Sequence, residues 1–189
     1  MYSFYMNYKE IPVTLSAIII CVLVWLLQYF YSQKNKNNSF AMKCALIPRE
    51  VKKGEYYRII TSGFTHIRPY HILMNCIALY NLGSSLEEYL TSPIYGIILF
   101  LSIIGSSIAC TLLSKEDSMT IGISGGVFGL LATYVIILYK LNLLSDPNIS
   151  SQIGSVIITN LIISFMPGVS WQGHLGGFIT GALLAFFLA

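Results

Sequence analysis

The chain has 189 residues, 55% of them hydrophobic and only 10% charged, with a mean hydropathy of +0.69. These values lie outside the range of soluble domains and leave room for about six spans of roughly 20 residues joined by short connections, with no soluble domain besides. The net charge of +3 does not argue for nucleic-acid binding, because the basic residues crowd into one loop where an anionic membrane surface accounts for them.

The first predicted span covers 11–31, between Lys9-Glu10 and the polar run Ser32-Gln33-Lys34-Asn35-Lys36-Asn37-Asn38. No small-residue cleavage pattern follows it, so it reads as a retained anchor and not as a signal peptide. A loop over 32–68 mixes Lys, Arg, Glu and Tyr with apolar residues, as expected of a partly structured, membrane-associated segment. The second span covers 69–86 and ends before Glu87-Glu88; the third covers 93–113, with the turn Lys115-Glu116-Asp117-Ser118 beyond it. The fourth runs over 124–140. Asp146-Pro147-Asn148 opens the fifth, 147–166, which Pro167-Gly168 breaks, and the sixth covers 173–189. The whole chain, 1–189, therefore reads as one all-α membrane domain of six spans.

Of the four cysteines, Cys21, Cys44, Cys76 and Cys110, three fall inside apolar runs, and none has paired spacing. They imply neither a disulfide nor a metal site.

Six spans put the first, third and fifth loops on one side. His71 and Asn75 follow the first of these, Ser124 the third and His174 the fifth, so all four share one depth on one face. Ser124 lies in Gly122-Ile123-Ser124-Gly125-Gly126-Val127-Phe128-Gly129, where a polar loop becomes an apolar helix. Its hydroxyl is near the positive end of the helix dipole, in a place glycines leave open to a nucleophile's substrate. The same residues also suit an N-cap with a small-residue packing stripe. His174, in Trp171-Gln172-Gly173-His174-Leu175-Gly176-Gly177, is costly to bury and marks a functional site by default, unless a backbone carbonyl at the interface satisfies it.

Gly173, Gly177 and Gly181 give the sixth helix a face that can pack on the fourth and bring His174 to Ser124 as general base. No Asp or Glu lies within the fourth or sixth span, and Asp117 is the sole acidic candidate near Ser124 in sequence. Phe128, four residues after Ser124, shares its helix face and can orient the imidazole by stacking, or serve as ordinary packing. His71 and Asn75, also four apart, are either oxyanion donors or an interhelical polar clasp. His66, in the loop and off that face, reads as structural.

With these residues placed, the chain resembles rhomboid intramembrane serine proteases from about Gly54 to Gly181. The resemblance rests on Gly54-Glu55-Tyr56-Tyr57-Arg58 with Thr61 and Phe64-Thr65-His66, on His71-x-x-x-Asn75, on Leu82-Gly83 leading to Glu87, on Gly122-Ile123-Ser124-Gly125, and on His174-x-x-Gly177-x-x-x-Gly181. It implies a six-helix rhomboid-like bundle and a Ser124–His174 dyad. It implies an oxyanion site from His71, Asn75 and the backbone at Ser124, with Gly122 in the tight turn before the nucleophile. It assigns Arg58 and Glu87 to structural polar contacts and implies no metal and no cofactor. The substrates implied are transmembrane segments of membrane proteins in the lipid bilayer, and the location implied is a bacterial plasma membrane with the site opening outside the cytoplasm.

Two features depart from the family's pattern. Its usual Trp-Arg pair reads Tyr57-Arg58. Nine basic residues (Lys34, Lys36, Lys43, Arg49, Lys52, Lys53, Arg58, Arg68, Lys115) lie on the site's side against Lys9 and Lys140 on the other, the reverse of the positive-inside expectation. The alternatives are a catalytically inactive, derlin-like binder of transmembrane helices and an unrelated six-span transporter. There is no His-Glu-x-x-His and no intramembrane aspartate pair for other intramembrane proteases. On the protease reading, water reaches Ser124 through a polar recess under the fifth loop, 167–172, and a substrate helix enters laterally past the fifth span.

Overall fold

The computed structural model describes residues 11–35 and 39–189; the Lys9-Glu10 flank and Lys36-Asn37-Asn38 lie outside them. Six long helices carry the architecture: α1 (Pro12–Asn35), α5 (Pro69–Leu90), α6 (Ser92–Leu113), α7 (Ser124–Lys140), α8 (Pro147–Ser164) and α9 (Trp171–Leu188). Three short ones, α2 (Ser39–Cys44), α3 (Pro48–Lys52) and α4 (Arg58–Phe64), build the first loop. The described residues form no sheet; their one extended pairing is a bridge between Leu46 and Thr120.

Local chemistry sets the helix ends. Proline occupies the first turn of α5, α6 and α8, where its missing N–H costs nothing. Asp146 caps α8 by accepting from the Asn148 N–H at 2.8 Å. Ser170 caps α9 by accepting from the Gly173 N–H at 3.3 Å, which starts that helix two residues before the predicted boundary at 173. The second span differs from expectation, because α5 runs through Glu87-Glu88 to Leu90. Glu87 is buried in the bundle and accepts from the Val13 and Thr14 N–H groups at 2.9 and 2.8 Å. It therefore satisfies two first-turn donors of α1 and does not mark a helix end.

Helices α1, α6 and α9 contain segments long and apolar enough to cross a membrane by themselves, and α7 is a shorter apolar helix. Apolar side chains such as Leu23, Phe30, Ile97, Leu161 and Leu183 face outward, as a lipid-facing surface requires. Inside, Leu79, Leu86, Tyr95, Ile98 and Leu130 form the centre of the core.

Within the core, α7 and α9 touch backbone to backbone. A methyl group on Gly177 would overlap the Gly125 carbonyl, and one on Gly181 the Gly129 carbonyl. At the far end Lys140 Nζ donates to the carbonyls of Phe186 and Ala189 at 2.8 and 2.6 Å, closing the same pair from below. Helix α8 stands apart. It packs mainly on the 3-10 turn Leu143–Ser145 that precedes it, and Ser164 at its C-terminal end is its one buried residue among those described.

The first loop is seated by Arg58. This buried guanidinium donates through Nη1 to the Met42 and Ala45 carbonyls and through Nε to Glu55 at 2.6 Å. The Tyr57-Arg58 pair thus holds the loop with Tyr57 outside, its hydroxyl on Glu55 at 2.9 Å. Loop one is fastened to loop three by paired backbone hydrogen bonds between Leu46 and Thr120, and by the Arg49–Asp117 and Lys52–Glu116 ion pairs.

Candidate active site

Ser124 opens α7, so its backbone N–H belongs to the first turn and has no partner within the helix. Gly122, two residues earlier, has φ of +107°, a conformation that favours glycine, and its N–H donates to the Ser62 carbonyl at 2.9 Å. This turn aims the half-buried Ser124 hydroxyl toward α9. His174, in the first turn of α9 and 7% exposed, places Nε2 3.1 Å from Ser124 Oγ. The glycine contacts between α7 and α9 make that approach possible, since any side chain at 177 or 181 would hold the helices apart.

The Phe128 ring stacks on the His174 imidazole with centroids 3.9 Å apart and planes 11° from parallel. On the other edge of the imidazole, Nδ1 lies 2.7 Å from Ser164 Oγ. Asp117 takes no part here: it is paired with Arg49 at the surface. The sequence reading missed Ser164, whose only signal is its position just before the helix-breaking Pro167-Gly168.

His71 and Asn75 come up from α5 against the turn before Ser124. A Cβ placed on Gly122 would lie 2.7 Å from His71 Cε1 and 3.3 Å from Asn75 Nδ2. His71, Asn75, Gly122, Phe128 and His174 are thus gathered around Ser124, whereas Asp117 is not. His66 joins them contrary to its expected separation. It is fully buried, its Nε2 is 3.0 Å from Asn75 Nδ2, and its ring stands edge-on to His71 at 5.1 Å. Burial, and then the charge of His71, push the His66 pKa down to about 4, so this imidazole is neutral at pH 7. With the amide as donor, His66 fixes Asn75 by accepting one of its two N–H bonds and leaves the other free.

Two spaces adjoin the site. A polar recess of about 10 Å³, the size of one water, is lined by Ser62, Ser106, Ser107 and Thr120 behind the Gly122–Gly126 turn, and no residue of 167–172 lines it. A cleft of about 290 Å³ separates α5, α7 and α8; it is lined mostly by apolar groups, among them Leu82, Leu131, Tyr134 and Ile153, and it reaches Phe128. No cluster of metal-ligating side chains occurs among the described residues.

Residues 53–189 match the model of the Rhomboid domain. RHOMBOID-like protein 5 of Arabidopsis thaliana is 30% identical over 147 residues, covering 76% of this chain and 48% of that protein. RHOMBOID-like protein 4 of the same plant is 30% identical over 75% of this chain and 36% of its own length. Rhomboid protease GluP of Bacillus subtilis (strain 168) is 29% identical over 71% of this chain and 26% of its own. The chain thus spans about half or less of each of these relatives.

Proposed function

The chain belongs to the rhomboid family, and on that premise we propose that it is an intramembrane serine endopeptidase working by a Ser124–His174 dyad. The observation that carries the reading is the 3.1 Å approach of His174 Nε2 to Ser124 Oγ on two helices locked together by glycine. A serine alcohol is a weak nucleophile until an adjacent base takes its proton as it attacks.

In the proposed reaction Ser124 Oγ attacks the scissile carbonyl while its proton passes to His174 Nε2. The oxyanion that forms faces His71, Asn75 and the Ser124 N–H, donors held in place beforehand by the Gly122 turn and by His66. The imidazolium returns the proton to the leaving amine, and water then hydrolyses the acyl enzyme with His174 again as base. The Phe128 ring and Ser164 hold the imidazole in place of a triad carboxylate.

Six spans, with the first, third and fifth loops on the site's side, account for the common depth of these residues. The apolar lining of the cleft between α5, α7 and α8 and the loose packing of α8 support lateral entry of a substrate segment on that flank. The substrate must unwind locally, because peptide groups within a helix are shielded and hydrogen-bonded. Four of the nine basic residues on the site's side, Arg49, Lys52, Lys53 and Arg58, are ion-paired within the loops, which supports an extracytoplasmic site despite their number. A bacterial plasma membrane is the proposed location.

The test is labelling of the solubilised protein by a fluorophosphonate probe. Wild type is expected to label, and Ser124→Ala and His174→Ala are expected not to. A folded wild type that never labels would instead point to a helix-binding, non-cleaving protein.

A further inference from the structure

The His174 imidazole is useful as a base only in one of its two neutral forms, the one with the proton on Nδ1 and the lone pair on Nε2 facing Ser124. In the other form Nε2–H would donate to Ser124 Oγ, and the hydroxyl proton would have nowhere to go. From the arrangement around Ser164 we infer that this residue is a positioning residue, selecting the productive tautomer of His174 by accepting a hydrogen bond from Nδ1–H; the inference rests on the dyad reading above.

Proton counting at the Ser164 hydroxyl decides between the two tautomers. A serine hydroxyl has one hydrogen to give and two lone pairs to accept with. Ser164 Oγ donates that hydrogen to the Asn160 carbonyl one turn back, at 2.7 Å. Its second close contact, His174 Nδ1 at 2.7 Å, can then be satisfied only if the ring nitrogen is the donor. The exchange is sheltered, since Ser164 is 4% and His174 7% exposed, and a buried group without its partner is costly. Nε2 is left bare, 3.1 Å from Ser124 Oγ. The Ser164 hydroxyl thus does part of the work of a triad carboxylate, fixing tautomer and ring orientation without carrying charge.

Geometry gives independent support. Helix α8 has loose packing along its length, yet its last residue is buried, and what it is buried against is the imidazole. Ring stacking by Phe128 fixes the plane of the imidazole but is indifferent to which nitrogen holds the proton. Among the described residues, Ser164 is the polar partner recorded for Nδ1.

The experiment is ¹⁵N NMR of histidine-labelled protein in micelles at neutral pH, with fluorophosphonate labelling rates measured alongside. The chain has three histidines, so loss of one signal set in His174→Ala assigns the residue. The wild-type spectrum is expected to show a protonated Nδ1 and a bare Nε2 at His174. Ser164→Ala is expected to shift that signal set toward the opposite tautomer and slow labelling about ten-fold, the effect of losing one buried hydrogen bond. Ser164→Thr keeps a hydroxyl and is expected to restore both.

A bare Nδ1 in wild type would overturn the inference, and so would a Ser164→Ala protein with unchanged tautomer and labelling rate. Should Ser164→Ala fail to fold, the wild-type and Ser164→Thr spectra still decide. A wild type with protonated Nδ1 that never labels would uphold the tautomer assignment and overturn the dyad reading, so the two failures are distinguishable.

Discussion

Adding one methyl group at Gly177 tests whether the glycine contact between α7 and α9 sets the dyad distance. A Cβ there would lie 2.7 Å from the Gly125 carbonyl carbon, whereas carbon atoms in contact sit about 3.5–4.0 Å apart. The helices must therefore part by roughly 1 Å. Gly125 adjoins Ser124, so most of that displacement passes to the nucleophile. Added to the present 3.1 Å separation, it takes the pair beyond hydrogen-bonding range. Misplacement on this scale costs about 10²-fold in rate, and overpacking costs about 1–3 kcal/mol in stability. Gly177→Ala is thus expected to label about 100-fold more slowly than wild type and to melt at lower temperature. Gly154→Ala, in α8 with nothing near its Cβ, is expected to do neither. Normal labelling and melting in Gly177→Ala would refute the link between the glycine contact and the dyad.

Other perturbations have equally definite outcomes. Asn75→Ala is expected to reduce cleavage of a transmembrane reporter about 10²-fold or more at unchanged KM, as for a lost oxyanion donor; a change confined to KM would assign Asn75 to substrate binding. Phe128→Ala is expected to slow labelling, while Phe128→Tyr, which keeps a ring over His174, retains it. Glu87→Gln is expected to lower thermal stability by about 1–3 kcal/mol, because one buried acceptor of the α1 N–H groups becomes a donor, whereas the exposed Glu88→Gln leaves it unchanged. The Glu55 carboxyl is held below its ordinary value of 4.5, first by hydrogen bonding from Arg58 and then by Tyr57. Its contribution to seating the first loop is therefore present above pH 4.5 and is lost as the pH falls through the lowered value. Proteolysis of that loop should rise in this acid range in wild type, and Glu55→Gln should show a flatter response.

What could be read from sequence was what local periodicity encodes. The spacing of Ser124 to Phe128 and of Gly177 to Gly181 matches the faces these residues present, whereas Gly173, expected on the same face, is turned toward Ser106 and Cys110 of α6. The order of loops groups His71, Asn75, Ser124 and His174 on one side. Contacts that depend on how an irregular segment folds back were not legible. Ser164 meets His174 because the chain between α8 and α9 curls over within six residues, and no periodicity records that curl. His66 was separated from His71 on helix phase, yet it precedes α5 and is turned into the site by the loop. Glu87 stands where a span boundary is expected because charge normally stops at the membrane surface, and the family resemblance, which implies a structural polar contact for it, does not name the partners. Its true partners, the N–H groups of α1, lie 73 and 74 residues away in sequence.

The separateness of α8 also bears on how such a protein diversifies. Residues 141–170 leave α7 at Lys140 and return to α9 while the two helices stay clamped together along their glycines, so this stretch is an excursion from a finished pair. If the cleft admits substrate as proposed, most of this stretch can change in length, bulk or polarity, and so alter what enters, while the α7–α9 glycine contact is left in place. On the proposed reading, transplanting the segment between relatives becomes a practical way to move selectivity from one member to another, with the hydroxyls at positions 164 and 170, on His174 and at the start of α9, carried across unchanged.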